Sequence, residues 1–188
     1  MNINKFTQKS MEAVQNCEKL AYEYGNQQID ELHFLCSLLT LDDSLILKLV
    51  TKMGVQGDMF VNEVKQALEK LPKVSGGQLY ISNDLNKVLL SGEDEAKAMG
   101  DEYVSVEHLF LALIKNPSKE VKELFRTYNI TRERFLQALS TVRGNQRVVS
   151  DNPEATYDTL EKYGYDLVER ARDQKLDPVI GRDGEIRN

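Results

Sequence analysis

The sequence predicts an all-α fold made of two pseudo-repeats of four helices each, followed by a linker and a further helical segment. Apolar residues recur at spacings of three and four in both halves, which is typical of amphipathic helices. The apolar pattern and the turn residues of the first half return 75 positions later, as in the pair Ala21 and Ala96. No stretch alternates apolar and polar residues for long enough to indicate a strand, so we expect no sheet.

The repeat is clearest around a glycine and a histidine in each half. The Ala-x-x-x-Gly motif that ends at Gly25 corresponds to the one that ends at Gly100, and residues 29–35 correspond to residues 104–110. Further apolar positions coincide in the same way: Leu38 with Leu113, Leu49 with Leu124, Val55 with Ile130, and Phe60 with Phe135.

The first helix of each half has recognisable end signals. Thr7 and Ser82 stand at equivalent positions, where a short hydroxyl side chain can accept the free amides of a first helical turn. Gly25 and Gly100 stand where a helix C-terminus needs a positive φ. Thr131 is the corresponding start signal for the eighth helix.

The second helix of each half begins at a short polar residue that is followed three positions later by a histidine. Asp30 and Ser105 are the predicted N-caps, and His33 and His108 fall at the third helical position. Pro117 predicts the start of the next helix of the second half, because the missing amide of proline costs nothing in the first turn.

The helical domain is predicted to cover residues 1–142, with repeats at about 4–71 and 79–142 that are joined by a loop. Residues 143–152 are polar and lack a helical stripe, so we interpret them as a flexible linker. Removing residues 145–188 should therefore leave the melting of the helical domain nearly unchanged.

The remaining residues, 153–188, open with Pro153 and show an apolar helical stripe. A lone amphipathic helix needs a surface to pack against, and no long segment follows it. We therefore interpret residues 153–188 as the truncated start of a further domain, either partly disordered or docked on a neighbouring chain.

Composition excludes several classes of function. The 188 residues carry 24 Lys and Arg against 30 Asp and Glu, a net charge of -6, which argues against a general nucleic-acid binder. Two cysteines are too few for a disulfide scaffold. The longest apolar run, residues 32–41, is about half of what a membrane span needs. We expect a cytoplasmic protein.

Catalytic chemistry is weakly indicated, because no glycine-rich phosphate-binding motif is present. Cys17, Cys36, His33 and His108 allow a Cys–His nucleophile or a zinc site on paper. Both cysteines lie on apolar helix faces and the histidines are related by the repeat, so buried thiols and capping histidines are the favoured interpretation. We expect no catalytic residue and no metal.

Two carboxylates and a threonine are the candidate site residues. Glu107 lies at the start of a helix, Asp101 follows the turn glycine, and Thr7 begins the first helix. They are either caps and helix-dipole partners or an exposed polar rim beside a binding groove. Leu32 stands in the first repeat at the position of Glu107, so the two halves differ chemically here.

These repeat motifs resemble the Clp N-terminal domain, the double helical repeat at the front of Clp-type AAA+ unfoldases. Residues 157–167 and the box KLDPVIGRD at 175–183 resemble the start of the first ATPase domain of these proteins. Together with residues 71–76 of the central loop, they make the chain most similar to the ClpB-type disaggregases.

The resemblance implies a substrate-recruiting domain that binds exposed apolar segments of misfolded or aggregated proteins. The parent would be a homohexameric ATPase that uses ATP and magnesium, works with the DnaK chaperone system and threads chains through its pore. Thr7, Asp101 and Glu107 correspond by motif to the family's substrate-handling patch, and Val179 and Ile180 to positions beside the adenine of ATP. The chain stops before the phosphate-binding loop, so this fragment, a monomer by itself, should need no cofactor and hydrolyse no ATP.

Two other interpretations stay open. A ClpC-like module that binds an adaptor or phosphoarginine would feed a protease; that group carries a threonine-glutamate-histidine turn in both repeats, which here is broken in the first copy and partly kept at residues 105–108. A small enzyme that uses Cys36 and His33 is the other alternative.

Overall fold

The computed structural model describes residues 3–159, and it confirms a predominantly helical fold with two four-helix repeats. A short 3₁₀ helix, Ile3–Lys5, precedes the first repeat. The first repeat consists of α1 (Gln8–Glu23), α2 (Glu31–Thr40), α3 (Leu45–Lys52) and α4 (Gly57–Glu69). The second consists of α5 (Asn83–Ala98), α6 (Val106–Lys115), α7 (Lys119–Thr127) and α8 (Arg132–Arg143), and α9 (Pro153–Thr159) follows.

The predicted end signals of the first helices are confirmed. The hydroxyl oxygen of Thr7 accepts the amide of Ser10 at 3.2 Å, and that of Ser82 accepts the amide of Leu85 at 3.0 Å. Gly25 and Gly100 have φ angles of 73° and 72°, a region that glycine adopts without steric cost. Thr131 caps α8 in the same way, through the amide of Arg134.

The predicted start of α7 at Pro117 is wrong by two residues. α7 begins at Lys119 and its N-cap is Ser118, whose hydroxyl accepts the amide of Val121 at 3.4 Å. The hydroxyl of Ser118 accepts an amide of the first turn, whereas the side chain of a proline has no acceptor atom for such an amide. The amide of Ser118 donates to Glu31 Oε1 at 2.9 Å, so a carboxylate of the first repeat also stabilises this turn.

The expectation of no sheet is wrong in one detail that matters for the architecture. β1 (Gln28–Ile29) and β2 (Tyr80–Ile81) form a parallel pair, and Phe6 makes an isolated parallel bridge with Val104. Each strand has only two residues, which is too short for any alternating pattern to appear in the sequence.

These two pairings are related by the repeat and are reciprocal. The segment before the first helix of one repeat pairs with the segment after the first helix of the other. The amide of Thr7 donates to the carbonyl oxygen of Val104 at 3.0 Å, and the amide of Ser82 donates to that of Ile29 at 2.9 Å. The main chain therefore ties the two repeats together at two equivalent places.

One apolar core runs through both repeats. The rings of Phe110 and Phe135 lie 4.7 Å apart between centroids, and Phe110 also contacts Phe125 at 5.4 Å. α5 and α6 approach closely at Gly92, where an added Cβ would lie 2.6 Å from Leu109 Cδ2. A glycine is therefore needed in the interior of α5, although glycine weakens a helix.

The segment that the sequence predicts to be a linker contacts the helical domain. Val148 is fully buried, its amide donates to Asp101 Oδ1 at 2.9 Å, and its carbonyl oxygen accepts the amide of Glu102 at 2.8 Å. The carbonyl oxygen of Asp151 accepts the amide of Gln8 at 2.7 Å. α9 then packs against α8 of the same chain.

These contacts change the expected effect of truncation. A chain that ends at Gly144 should melt about 5–15 °C below a chain that ends at Thr159, because the shorter chain loses the buried side chains of Val148 and Tyr157. Thermal unfolding followed by circular dichroism measures the difference. Equal melting temperatures would instead agree with a detached linker.

Candidate functional site

The structure brings Thr7, Asp101 and Glu107 into one cluster and buries all three. Their exposed fractions are 0%, 9% and 0%, so of the two interpretations of these residues the exposed polar rim is wrong. The reason is that Arg143 and Glu154, two residues that no sequence motif indicated, contact the cluster and hold it together.

Arg143 forms ion pairs with two of the buried carboxylates. Its guanidinium forms an ion pair with Asp101 and a second one with Glu107 Oε2 at 3.3 Å. Asp101 also accepts hydrogen bonds from His108 Nε2 at 2.6 Å and from the amide of Val148. Burial raises the pKa of Asp101, but the hydrogen bonds from His108 and Arg143 outweigh it and hold the pKa at about 2.

Each repeat fixes its histidine in the same tautomer. His108 Nδ1 accepts the amide of Ser105 at 2.9 Å, so the ring proton sits on Nε2 and is donated to Asp101. In the first repeat His33 Nδ1 accepts the amide of Asp30, and Nε2 faces Asn26 Oδ1 at 2.9 Å. The capping role predicted for both histidines is confirmed.

The ionic cluster is a property of the second repeat alone. The first repeat carries neutral residues at the same places, and two of them are fully or almost fully buried leucines. The correspondences are Asn26 with Asp101, Leu32 with Glu107 and Leu68 with Arg143. When the two halves are aligned with a shift of 75 residues, Arg143 falls opposite Leu68. This change is the signal that could have revealed the buried arginine.

Glu154 reaches the cluster from α9. Its Oε2 accepts the hydroxyl of Thr7 at 2.9 Å and the amide of Val106, the first residue of α6, at 3.1 Å. Burial, and then the charge of Glu107, raise the pKa of Glu154 to about 7. No sequence pattern pointed to Glu154, because its partners come from residues almost 50 and 150 positions away.

A separate apolar groove opens between α1, β2 and α5. The cavity measures about 270 Å³. Tyr80 and Ile81 form its rim and are 52% and 40% exposed, which is unusual for large apolar side chains at one place. The other lining residues come mainly from α1, α2 and α5 and include Val14, Cys17, Phe34, Leu85 and Leu89.

The cysteines do not have the surroundings of a nucleophile. Burial raises the pKa of both the Cys17 and the Cys36 thiol, which keeps them protonated. Both ring nitrogens of His33 are engaged elsewhere, so His33 is not a free base for Cys36. Within residues 3–159, no group of three or more His, Cys, Asp or Glu residues is arranged to hold a metal ion.

Val179 and Ile180 lie outside the described residues. Over the part of the chain that the structure does describe, no helix combines the length and apolar character needed to cross a bilayer.

Comparison with known proteins identifies the family. The model of the Clp repeat (R) N-terminal domain matches residues 5–128, a span that contains both cap histidines and all of the residues that line the groove. The chain belongs to this family. The chain corresponds to the N-terminal domain of Clp proteins, which we call the N-domain. The N-domain is distinct from the ATPase domains of these proteins.

Curated relatives of this Clp N-domain are named chaperone protein ClpB. The one from Nitratidesulfovibrio vulgaris is 44% identical over 193 aligned residues, and the one from Bacillus anthracis is 42% identical over 192. Each alignment takes in 100% of this chain and 22% of the relative, so the chain spans less than a quarter of the relatives' length.

Solved structures share the fold of this Clp N-domain. The Hsp104 N-terminal domain from Candida albicans matches with a TM-score of 0.70 at 24% identity and covers 80% of this chain and 99% of its own. A ClpV N-domain in complex with a VipB peptide matches with a TM-score of 0.57 at 22% identity and covers 73% of this chain and 86% of its own.

The buried cluster makes a specific prediction about stability. Arg143→Leu alone should lower the free energy of unfolding by about 3–5 kcal/mol, because it leaves two carboxylates buried without a counter-charge. Adding Asp101→Asn and Glu107→Leu gives the second repeat the residues of the first and should restore at least half of that loss. Urea unfolding at pH 7 tests this, and a triple variant no more stable than the single one would contradict it.

The raised pKa of Glu154 predicts a dependence of stability on pH. The ordinary pKa of a glutamate is 4.5, so between pH 4.5 and about 7 the folded state keeps a proton on Glu154 that the unfolded state has lost. The contribution of this proton to the free energy of unfolding is therefore present at low pH and is lost as the pH rises through 7. The wild-type free energy of unfolding should therefore fall from pH 5 to pH 8 by about 1–3 kcal/mol more than that of Glu154→Gln.

Urea unfolding at four pH values from 5 to 8 gives the two curves. Glu31, whose pKa burial raises to about 8, and His33, whose pKa burial lowers, titrate in both proteins and cancel in the difference. Parallel curves would show that Glu154 is not held in a buried, proton-binding position.

Proposed function

We propose that this domain recruits unfolded or aggregated polypeptides for a ClpB-type disaggregase by binding their apolar side chains in the groove beside β2. The observation that supports this most strongly is the exposed rim of Tyr80 and Ile81 over an apolar floor. A folded substrate protein buries its own apolar side chains, whereas a misfolded one exposes apolar side chains that can enter the groove.

The size of the groove suits weak and sequence-tolerant capture. Covering apolar surface contributes about 25 cal/mol per Å², so a few hundred Å² give several kcal/mol before the costs of association. After those costs the net affinity is low. Low affinity suits a domain that has to pass its cargo on.

The parent protein that fits this role is a cytoplasmic homohexamer that hydrolyses ATP with magnesium and acts with the DnaK system. The similarity of the chain to ClpB chaperones supports this proposal. Val179 and Ile180 would then lie beside the adenine of ATP in the first ATPase domain.

Recognition of phosphoarginine is disfavoured by the geometry. Only the second repeat carries a glutamate directly before the cap histidine, since Leu32 stands there in the first repeat. That glutamate, Glu107, is already paired with the guanidinium of Arg143. A second guanidinium would have to displace a buried ion pair. A phosphoarginine peptide should therefore bind no better than its unmodified form.

The groove is tested by one charged substitution on its rim. Tyr80→Asp should weaken the binding of reduced, carboxymethylated α-lactalbumin about five- to tenfold, because it places a charge against the apolar floor. Native α-lactalbumin should not bind to either protein. Fluorescence anisotropy of the labelled unfolded protein measures the affinities.

Met59→Asp is the matched control, since Met59 is 54% exposed on α4 and lies outside the groove. It should bind as the wild type does. An equal loss in both variants, or no loss in Tyr80→Asp, would count against capture in the groove.

A further inference from the structure

Residues 151–157, which we call the cover, lie over the polar cluster between the two repeats. Their first contact is the carbonyl oxygen of Asp151 on the amide of Gln8 at 2.7 Å. Glu154 binds Thr7 and Val106, and the side chain of Tyr157 is 1% exposed. The cover therefore occupies the surface through which Thr7 and Glu107 would otherwise meet solvent.

Glu154 sits in this site as a ligand would. Its Oε2 receives two hydrogen bonds. One comes from the hydroxyl of Thr7, and the other comes from the amide of Val106, which has no partner within α6. Helix N-termini bind acceptor groups because their first amides have no partner within the helix. The two donors belong to different repeats, so the acceptor bridges the domain.

Some buried polar atoms at the contact between the cover and the cluster lack a well-formed hydrogen bond. Three buried side-chain atoms among the described residues lie outside normal hydrogen-bond geometry: Glu107 Oε1, Glu154 Oε1 and the hydroxyl oxygen of Tyr157. All three belong to this contact, which is unusual because buried polar groups are normally paired. The Tyr157 hydroxyl still interacts with Glu107, whereas Glu154 Oε1 lacks a donor. The closed arrangement therefore carries a cost that the rest of the described domain does not.

The charges also favour a neutral occupant over Glu154. Glu107 faces Glu154, and within residues 3–159 a single arginine, Arg143, offsets the carboxylates of the cluster. A peptide group offers a carbonyl oxygen for the donors of Thr7 and Val106 and an N–H for Glu107 Oε1. It would satisfy the site without adding a negative charge.

We propose that the cover is a displaceable built-in ligand, and that the main chain of an unfolded polypeptide replaces Glu154 on Thr7, Val106 and Glu107. The proposal rests on the polypeptide-binding function proposed above and adds a second, polar contact to it. Val148 stays buried and serves as the fixed end about which the cover moves away. Because peptide groups are common to all chains, this contact tolerates any sequence.

Two substitutions of Glu154 in the full chain test the proposal. Glu154→Ala removes the acceptor and should open the cover, so the amides of Val106 and Gln8 should exchange hydrogen at least tenfold faster while those of α4 do not change. Glu154→Gln keeps an acceptor oxygen and removes the repulsion from Glu107, so exchange should stay as slow as in the wild type or become slower.

Binding of reduced, carboxymethylated α-lactalbumin provides the second measurement. Glu154→Ala should bind it at least threefold more tightly than Glu154→Gln. The same ratio should hold when both carry Tyr80→Asp, which weakens the groove alone. A failure of Tyr80→Asp to weaken binding would therefore overturn groove capture, whereas the loss of the Glu154 ratio would overturn the cover.

Tyr157→Phe is a second variant that weakens the cover. It removes the buried hydroxyl that interacts with Glu107, so the cover should open, Val106 should exchange faster and binding should become tighter. Faster exchange in Glu154→Ala without tighter binding, or unchanged exchange in both Glu154→Ala and Tyr157→Phe, would overturn the proposal. This second variant decides the matter even if Glu154→Ala unfolds.

Discussion

The reciprocal main-chain pairing between the repeats is the constraint on which the rest of the structure depends. Each repeat supplies the segment that completes the other, at Phe6 with Val104 and at β1 with β2. These bonds fix where α1 and α5 begin, and hence where Thr7 and Ser82 cap them. Neither repeat can keep its entrance segment in place without the other, so the domain should unfold as one unit.

The same symmetry gives two surfaces of different chemistry. On the side of β2, apolar residues remain and leave a groove with exposed Tyr80. On the side of Val104, Asp101, Glu107 and Arg143 replace neutral residues of the first repeat. A buried ionic cluster of this kind contributes little net stability compared with apolar packing. Its presence in only one repeat therefore favours a role in binding over a role in folding.

The features that the sequence predicted are local ones. The caps at Thr7 and Ser82 and the turns at Gly25 and Gly100 depend on a few neighbouring residues, and the repeat made each of them visible twice. The two strands were not predicted because a strand of two residues is too short to show an alternation of apolar and polar residues. The burial of the cluster was missed because Glu154 acts through partners far away in the chain. Side chains that the sequence allows as an exposed rim lie beneath Glu154 and Tyr157, in the segment that the sequence assigns to the start of a further domain.

Both proposed contacts lie along α1, which bears on how one polypeptide could use them together. Thr7 caps α1, and Val14 and Glu18 line the groove from the same helix. Separations of seven and eleven residues return to one face of a helix, and seven residues span about 10 Å along its axis. An extended chain covers that distance in about three to four residues. A short unfolded segment could thus place a side chain in the groove and a peptide group on Thr7, whereas a folded surface, with its peptide groups already paired, offers no such combination.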